Sequence, residues 1–190
     1  MLSVKRRLAG LAAGCALAVA GTAAVPVAAH AAPGDSICVN RPDVGANRYI
    51  RDHYQRLGGA DSKLGCPIEG METFRSGGTV VAQRQKFDNG DIAWSPRQGD
   101  AMVVTAWEYQ GAAFFSWGPT RPFDYDLFLV RYTSAADAFG TQRSAVGGTW
   151  GGTLVRKETT GAYTFIVEGC DDGTWGLTCN QGWTLPVSTR

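Results

Sequence analysis

Thr79-Val80-Val81-Ala82-Gln83-Arg84-Gln85-Lys86-Phe87-Asp88-Asn89-Gly90-Asp91-Ile92-Ala93-Trp94 is the stretch on which the fold turns. Two strand-like runs flank Asn89-Gly90, the preferred pair for a two-residue primed hairpin turn, because both central positions there take positive φ. Taken literally, that turn sets Phe87 opposite Ile92 and Gln85 opposite Trp94, with all four side chains on one side of the ribbon. Ser95-Pro96 then ends the second strand.

Working outward toward the N-terminus, one helical pattern is visible. Asp43 is a candidate cap for a helix whose apolar positions Ala46, Ile50, Tyr54 and Leu57 share a face, and Gly58-Gly59 would stop it. Toward the C-terminus the texture is repeated strand-length segments: Met102–Tyr109, Ala112–Trp117, Asp126–Thr133, Gly152–Lys157, Tyr163–Glu168 and Trp183–Val187. Turn signals separate them at Gly118-Pro119, Gly147-Gly148, Gly161 and Asp171-Asp172-Gly173. Regularly spaced strands of this kind predict an antiparallel β-sandwich. Ser95-Pro96 and Gly99 place a domain boundary around Arg97–Ala101. The fold class is therefore mainly β: a small module of one short helix plus β-hairpins over 32–100, followed by a sandwich over 101–190.

The first 31 residues read differently. Lys5, Arg6 and Arg7 open a charged start, an Ala/Leu/Val-rich run follows from Leu8 to Ala29, and Ala29-His30-Ala31 supplies small residues for cleavage. That three-part pattern is a secretory signal peptide over 1–31. The run is rich in Ala and Gly and broken by Pro26, and no Lys/Arg stop-transfer cluster follows, which argues against a membrane anchor. Cys15 falls inside the removed segment. Cleavage takes away three of the 18 cations and none of the 17 acids, leaving 15 against 17 and a net charge of −2. A mildly acidic chain without a basic block has no footprint for nucleic acid and no patch for an anionic membrane.

Four cysteines remain: Cys38, Cys66, Cys170 and Cys179. An even count in an exported chain favours disulfides, and two early plus two late cysteines predict Cys38–Cys66 and Cys170–Cys179. Neither pair has CxxC spacing, so no zinc site is expected, and no other metal or cofactor.

Catalytic equipment is sparse. His53 is the one histidine left after cleavage, it sits on the predicted helix, and no GxSxG elbow accompanies it. Its simplest role is packing or helix surface. Glu69 with Glu72 is one candidate acid pair of the kind a glycosidase needs and Asp124 with Asp126 another, and both fall in polar turn or strand-edge sequence. Asp171-Asp172-Gly173 lacks the further oxygen ligands of a calcium loop. No active site is expected.

The tryptophans carry what functional signal remains. Trp117 reads as core and Trp107 is ambiguous. Trp94, Trp150, Trp175 and Trp183 are the candidate ligand-contact residues, since a flat, rigid indole brings contact area at low entropy cost. Sugar rings stack on such faces, which makes a glycan one natural partner. The alternative for each is that its loop folds back and buries it.

Two family resemblances bear on these expectations. Arg48-Tyr49-Ile50-Arg51-Asp52-His53-Tyr54, Leu57-Gly58-Gly59, Leu64-Gly65-Cys66-Pro67 and Gln85-Lys86-Phe87-Asp88-Asn89-Gly90-Asp91-Ile92-Ala93-Trp94-Ser95-Pro96 together resemble the LGFP repeat of exported actinobacterial proteins. The chain departs from that family in holding one copy rather than a tandem array. It also has Cys66 where an aromatic is usual, which fits a disulfide to Cys38. Phe114-Phe115-Ser116-Trp117, Tyr125, Phe128-Leu129-Val130-Arg131-Tyr132 and Tyr163-Thr164-Phe165-Ile166-Val167 resemble strands of a fibronectin type III-like sandwich, with Tyr163 in the place of its tyrosine corner. The first resemblance implies a secreted, extracellular or wall-associated protein that binds cell-wall polymer or glycan without catalysis. A secreted protein partner, with the chain acting as inhibitor or adhesin, is the alternative, and a small carboxylate-dependent hydrolase stands third.

Overall fold

Asn47 starts the one α-helix of the described residues. Its side-chain oxygen accepts from the N–H groups of Tyr49 and Ile50, at 2.9 and 3.1 Å, and opens α1 (Arg48–Arg56). Two otherwise orphaned helix donors are thereby satisfied. The start expected at Asp43 is overridden because Gly45 N–H donates to Gln85 Oε1 and Asn47 Nδ2 to Gln83 Oε1, which ties the preceding segment to the sheet. Gly58, at φ 106°, ends the helix as its residue type predicts. The computed structural model describes residues 37–174 and 176–190. The signal read over 1–31, Cys15 within it, and Trp175 lie outside the described residues.

The chain is mainly β, with two antiparallel sheets. The larger sheet runs β1 (Glu72–Ser76), β2 (Thr79–Phe87), β3 (Gly90–Trp94), β4 (Val103–Tyr109), β5 (Ala112–Gly118) and β8 (Gly151–Arg156). The smaller holds β10 (Gly176–Thr178), β9 (Thr164–Gly173), β6 (Tyr125–Thr133) and β7 (Thr141–Gly148), with β11 (Val187–Ser188) on β9. Both disulfides, Cys38–Cys66 and Cys170–Cys179, are formed.

The larger sheet passes without a break through Arg97–Ala101, where a domain boundary was expected. Trp94 on β3 pairs with Val103 on β4, and Ser95-Pro96 opens a short 3-10 turn over Pro96–Gln98 that reverses the chain. Proline and glycine here make a tight connection between neighbouring strands rather than a linker.

Because side chains alternate along a strand, each face of this sheet collects its own core. Ala93, Val104, Ala106, Phe115 and Trp117 face the smaller sheet and meet Phe128, Val130, Phe165 and Val167. Phe87, Ile92 and Val103 face the other way and meet Ile50 and Tyr54 of α1 together with Leu64. The result is three layers, with the larger sheet in the middle.

The hairpin keeps its predicted face and loses its predicted register. Phe87 pairs with Gly90, and Gln85 with Ile92, so Asp88 and Asn89 form the turn. Neither of them has positive φ. Asp88 instead accepts from Cys66 N–H at 2.9 Å, while Asn89 N–H donates to the Leu64 carbonyl. Gly90 belongs to the strand, where any Cβ would collide with the Ala106 carbonyl oxygen. A shift of two residues preserves strand faces, so Phe87, Gln85, Ile92 and Trp94 remain on one side.

Other boundaries move for similar reasons. Asp171 and Asp172 pair with Thr178 and Leu177 as the end of β9, so the turn lies beyond Gly173. Of the expected Trp183–Val187 strand only Val187 pairs, and the pairing continues to Ser188, beyond the expected end. β1 and β7 carried no alternating apolar signal, since both are exposed, polar edge strands.

Candidate functional site

Trp150 stands on the short connection between β7 and β8 with 52% of its surface exposed. Its ring is nonetheless held. Gly118, at φ 121°, lies under it so closely that a Cβ there would come within 2.8 Å of Trp150 Cε3. Beside it, Thr120 N–H donates to the Thr149 carbonyl at 3.0 Å and fixes the connection to the end of β5. An indole both exposed and immobilised is a ready contact surface, since little side-chain entropy is left to lose on binding.

A cleft of about 330 Å³ separates this indole from α1, with Tyr49, Asp52, Arg56, Ala101 and Pro119 completing its lining. Tyr49, Asp52 and Arg56 follow i, i+3, i+7 spacing and so form one stripe of the helix. Tyr49 is stacked on Trp94, with centroids 5.7 Å apart and planes 12° from parallel, and the Arg48 guanidinium lies 4.7 Å from the Tyr49 ring centroid. Asp52 and Arg56 make no ion pair with any described residue. A second, more open cleft of about 680 Å³ shares Ala101 and borders the same connection at Thr149, with Arg121, Phe123 and Asp124 on its far side. The two clefts adjoin at Ala101, and Trp150 lines the first of them.

Beneath the stripe, His53 is buried and its Nε2 pairs with Thr105 Oγ1 at 2.8 Å. Burial, with the Arg56 guanidinium beside it, pushes the imidazole down to about 4. It is a neutral strut between helix and sheet, with the buried Thr105 hydroxyl as its partner. On the same sheet face Trp107, Phe114 and Leu154 stand in register across β4, β5 and β8. Trp107 and Phe114 stack at 5.4 Å, and Leu154 is 52% exposed.

The four tryptophans singled out in the sequence are therefore not one site. Trp94 and Trp150 reach the same cleft, Trp94 indirectly, because its Nε1 donates to the Asp100 carbonyl and its face supports Tyr49. Trp183 is half-buried in a separate pocket on the opposite face of the larger sheet. Trp175 lies outside the described residues. Tyr49, Asp52 and Arg56 were missed, although their helical spacing was legible; Phe114 and Leu154 were missed because a strand residue's face shows only once its register is known.

The candidate acids are engaged or dispersed. Glu69 pairs with Lys86 at 2.8 Å, which draws its carboxyl below the usual range, and Glu72 pairs with Arg84 at 2.7 Å. Asp126 accepts from Asp172 N–H, while Asp124 is exposed in the open trough. Among the described residues no three His, Cys, Asp or Glu side chains gather as a metal-binding group. Nor is any helix there long and apolar enough to cross a membrane. No protein-family model, curated protein or solved structure matches the chain.

Proposed function

We propose that this protein is exported and binds cell-wall polysaccharide without catalysis, using the face of the larger sheet that carries α1. The observation that carries the proposal is the immobilised, half-exposed Trp150 opposite the Tyr49–Asp52–Arg56 stripe. The negative face of an aromatic ring attracts the polarised C–H groups on one side of a pyranose. Asp52 and Arg56 add an acceptor and a donor set for the hydroxyls at the ring edge. Two clefts adjoining at Ala101, one of them lined by the indole, suit an extended chain better than a single sugar. The resemblance of residues 48–96 to the LGFP repeat supports the same ligand class, and both disulfides are consistent with life outside the cell.

Co-sedimentation of the signal-free protein with purified, insoluble peptidoglycan tests the proposal. The wild type should pellet saturably, and Trp150→Ala should weaken binding by at least about tenfold, as for a central aromatic contact. Failure of the wild type to pellet at moderate salt, or unchanged pelleting of Trp150→Ala, would reject it.

A further inference from the structure

A third cavity, of about 380 Å³, opens on the other face of the larger sheet. Its floor depends on an irregularity. Phe74 pairs with Ala82, and Arg75 with Val80, which leaves Val81 as an extra residue on β2. A bulge of this kind bends the strand and re-aims a side chain, and Val81 joins Phe74 and Ala82 in the lining. Another wall is the segment 182–186, with Trp183, Thr184 and Leu185 in the pocket.

That wall is pinned along its length. Buried Gln98 donates through Nε2 to the Gly182 carbonyl, while its Oε1 accepts from Gly169 N–H. Thr184 N–H donates to the Val167 carbonyl, Leu185 N–H donates to Ser95 Oγ, and Arg84 donates to the Pro186 carbonyl. A cavity whose two walls are fixed this way is already formed before any ligand arrives, which lowers the cost of binding.

The polar side chains in the lining are Ser76, Ser95, Arg97, Gln98 and Thr184, and the Gln98 amide is engaged through both its nitrogen and its oxygen. Arg97 is exposed and makes no ion pair with any described residue. Ser95 and Thr184 are buried, and each hydroxyl accepts from a backbone N–H while its own O–H has no described acceptor. No Asp or Glu lines the pocket. An apolar lining that includes Phe74 and Trp183, with the Arg97 guanidinium unpaired among the described residues and the Ser95 and Thr184 O–H groups able to donate, is complementary to a carboxylate on a flat apolar body.

We propose that this pocket binds a small organic carboxylate with a planar apolar body, at a site separate from the polysaccharide surface. The carboxylate lies against Arg97, and the body slots between Phe74 and Trp183.

Calorimetric titration of the disulfide-intact, signal-free protein tests this with trans-cinnamate as probe. Cinnamyl alcohol supplies the same body without charge, and acetate the charge without the body. Cinnamate should give saturable one-to-one binding, and Arg97→Gln should weaken it about tenfold, down to the level of the alcohol. Arg97→Lys should recover part of the loss, Trp150→Ala should change nothing, and the Trp183 indole N–H resonance should shift on binding. The proposal is overturned by absence of saturable cinnamate binding. It is equally overturned if alcohol and acid bind alike, if Arg97→Gln binds unchanged, or if Trp150→Ala abolishes binding.

Discussion

The larger sheet has two faces, and they are finished differently. Toward the smaller sheet, Phe115, Trp117, Phe128 and Phe165 are almost wholly buried and in mutual ring contact. Toward α1, a nine-residue helix covers only part of the surface, and Trp94, Trp107, Phe114 and Trp150 keep part of their area in water. Both faces are aromatic, so composition does not separate them. Coverage does: the first face has its partner within the chain, and the second has spare ring area where a ligand can settle.

That contrast is breakable from either side. Phe115→Ala, in the fully covered face, should cost about 4 kcal/mol in urea unfolding, the usual loss for a truncated core aromatic. A loss near that of a surface change would mean that this face is not the structural one. Next in size is the clamp beneath the helix-covered face. Replacing Cys38 and Cys66 by Ser opens a loop of 28 residues' separation and should remove about 3.5 kcal/mol by chain-entropy reasoning. Hydrogen exchange should then rise first in α1 and leave β6 and β9 protected; uniform loss would contradict the division of labour.

His53 adds a pH dependence confined to the helix side. Its folded pKa is depressed to about 4 from an ordinary value near 6.5. The unfolded chain therefore takes up a proton at higher pH than the folded one does. The contribution is complete above pH 6.5 and is lost as pH falls from there to about 4, amounting to about 3 kcal/mol. His53→Gln should flatten that part of the stability curve, and an unchanged slope would show that the imidazole is not held neutral. Smallest of all, Trp150→Ala should alter stability by less than about 1 kcal/mol, because half of the side chain is already in water and it belongs to neither hydrophobic core.

The parts of this architecture that were legible in the sequence are those set by alternation and by cysteine placement. The faces of Phe87, Ile92 and Trp94, the burial of Trp117 and both disulfides follow from local pattern. Register was not legible, because Asn89-Gly90 carries two competing meanings. Its glycine is needed for close approach to Ala106, and Asp88 and Asn89 are taken up by hydrogen bonds to Cys66 and Leu64. The helix start failed similarly, since Asp43 and Asn47 are both good caps and only contacts to Gln83 and Gln85 decide between them. Of the site, Trp150 was found as a loop aromatic and Trp94 as a hairpin aromatic. Their distance from Trp183 was not, because two faces of one sheet are indistinguishable until the strands are paired.

The helix-covered face as the polysaccharide surface is the central claim, and the indole N–H resonances of the tryptophans report on it directly. A titration of the isotope-labelled, signal-free protein with soluble peptidoglycan oligosaccharides should shift the Trp150 signal most and Trp107 and Trp94 less. The signal of Trp117, buried between the sheets, should stay fixed. Shifts confined to Trp183, or none at all at saturating sugar, would contradict the assignment.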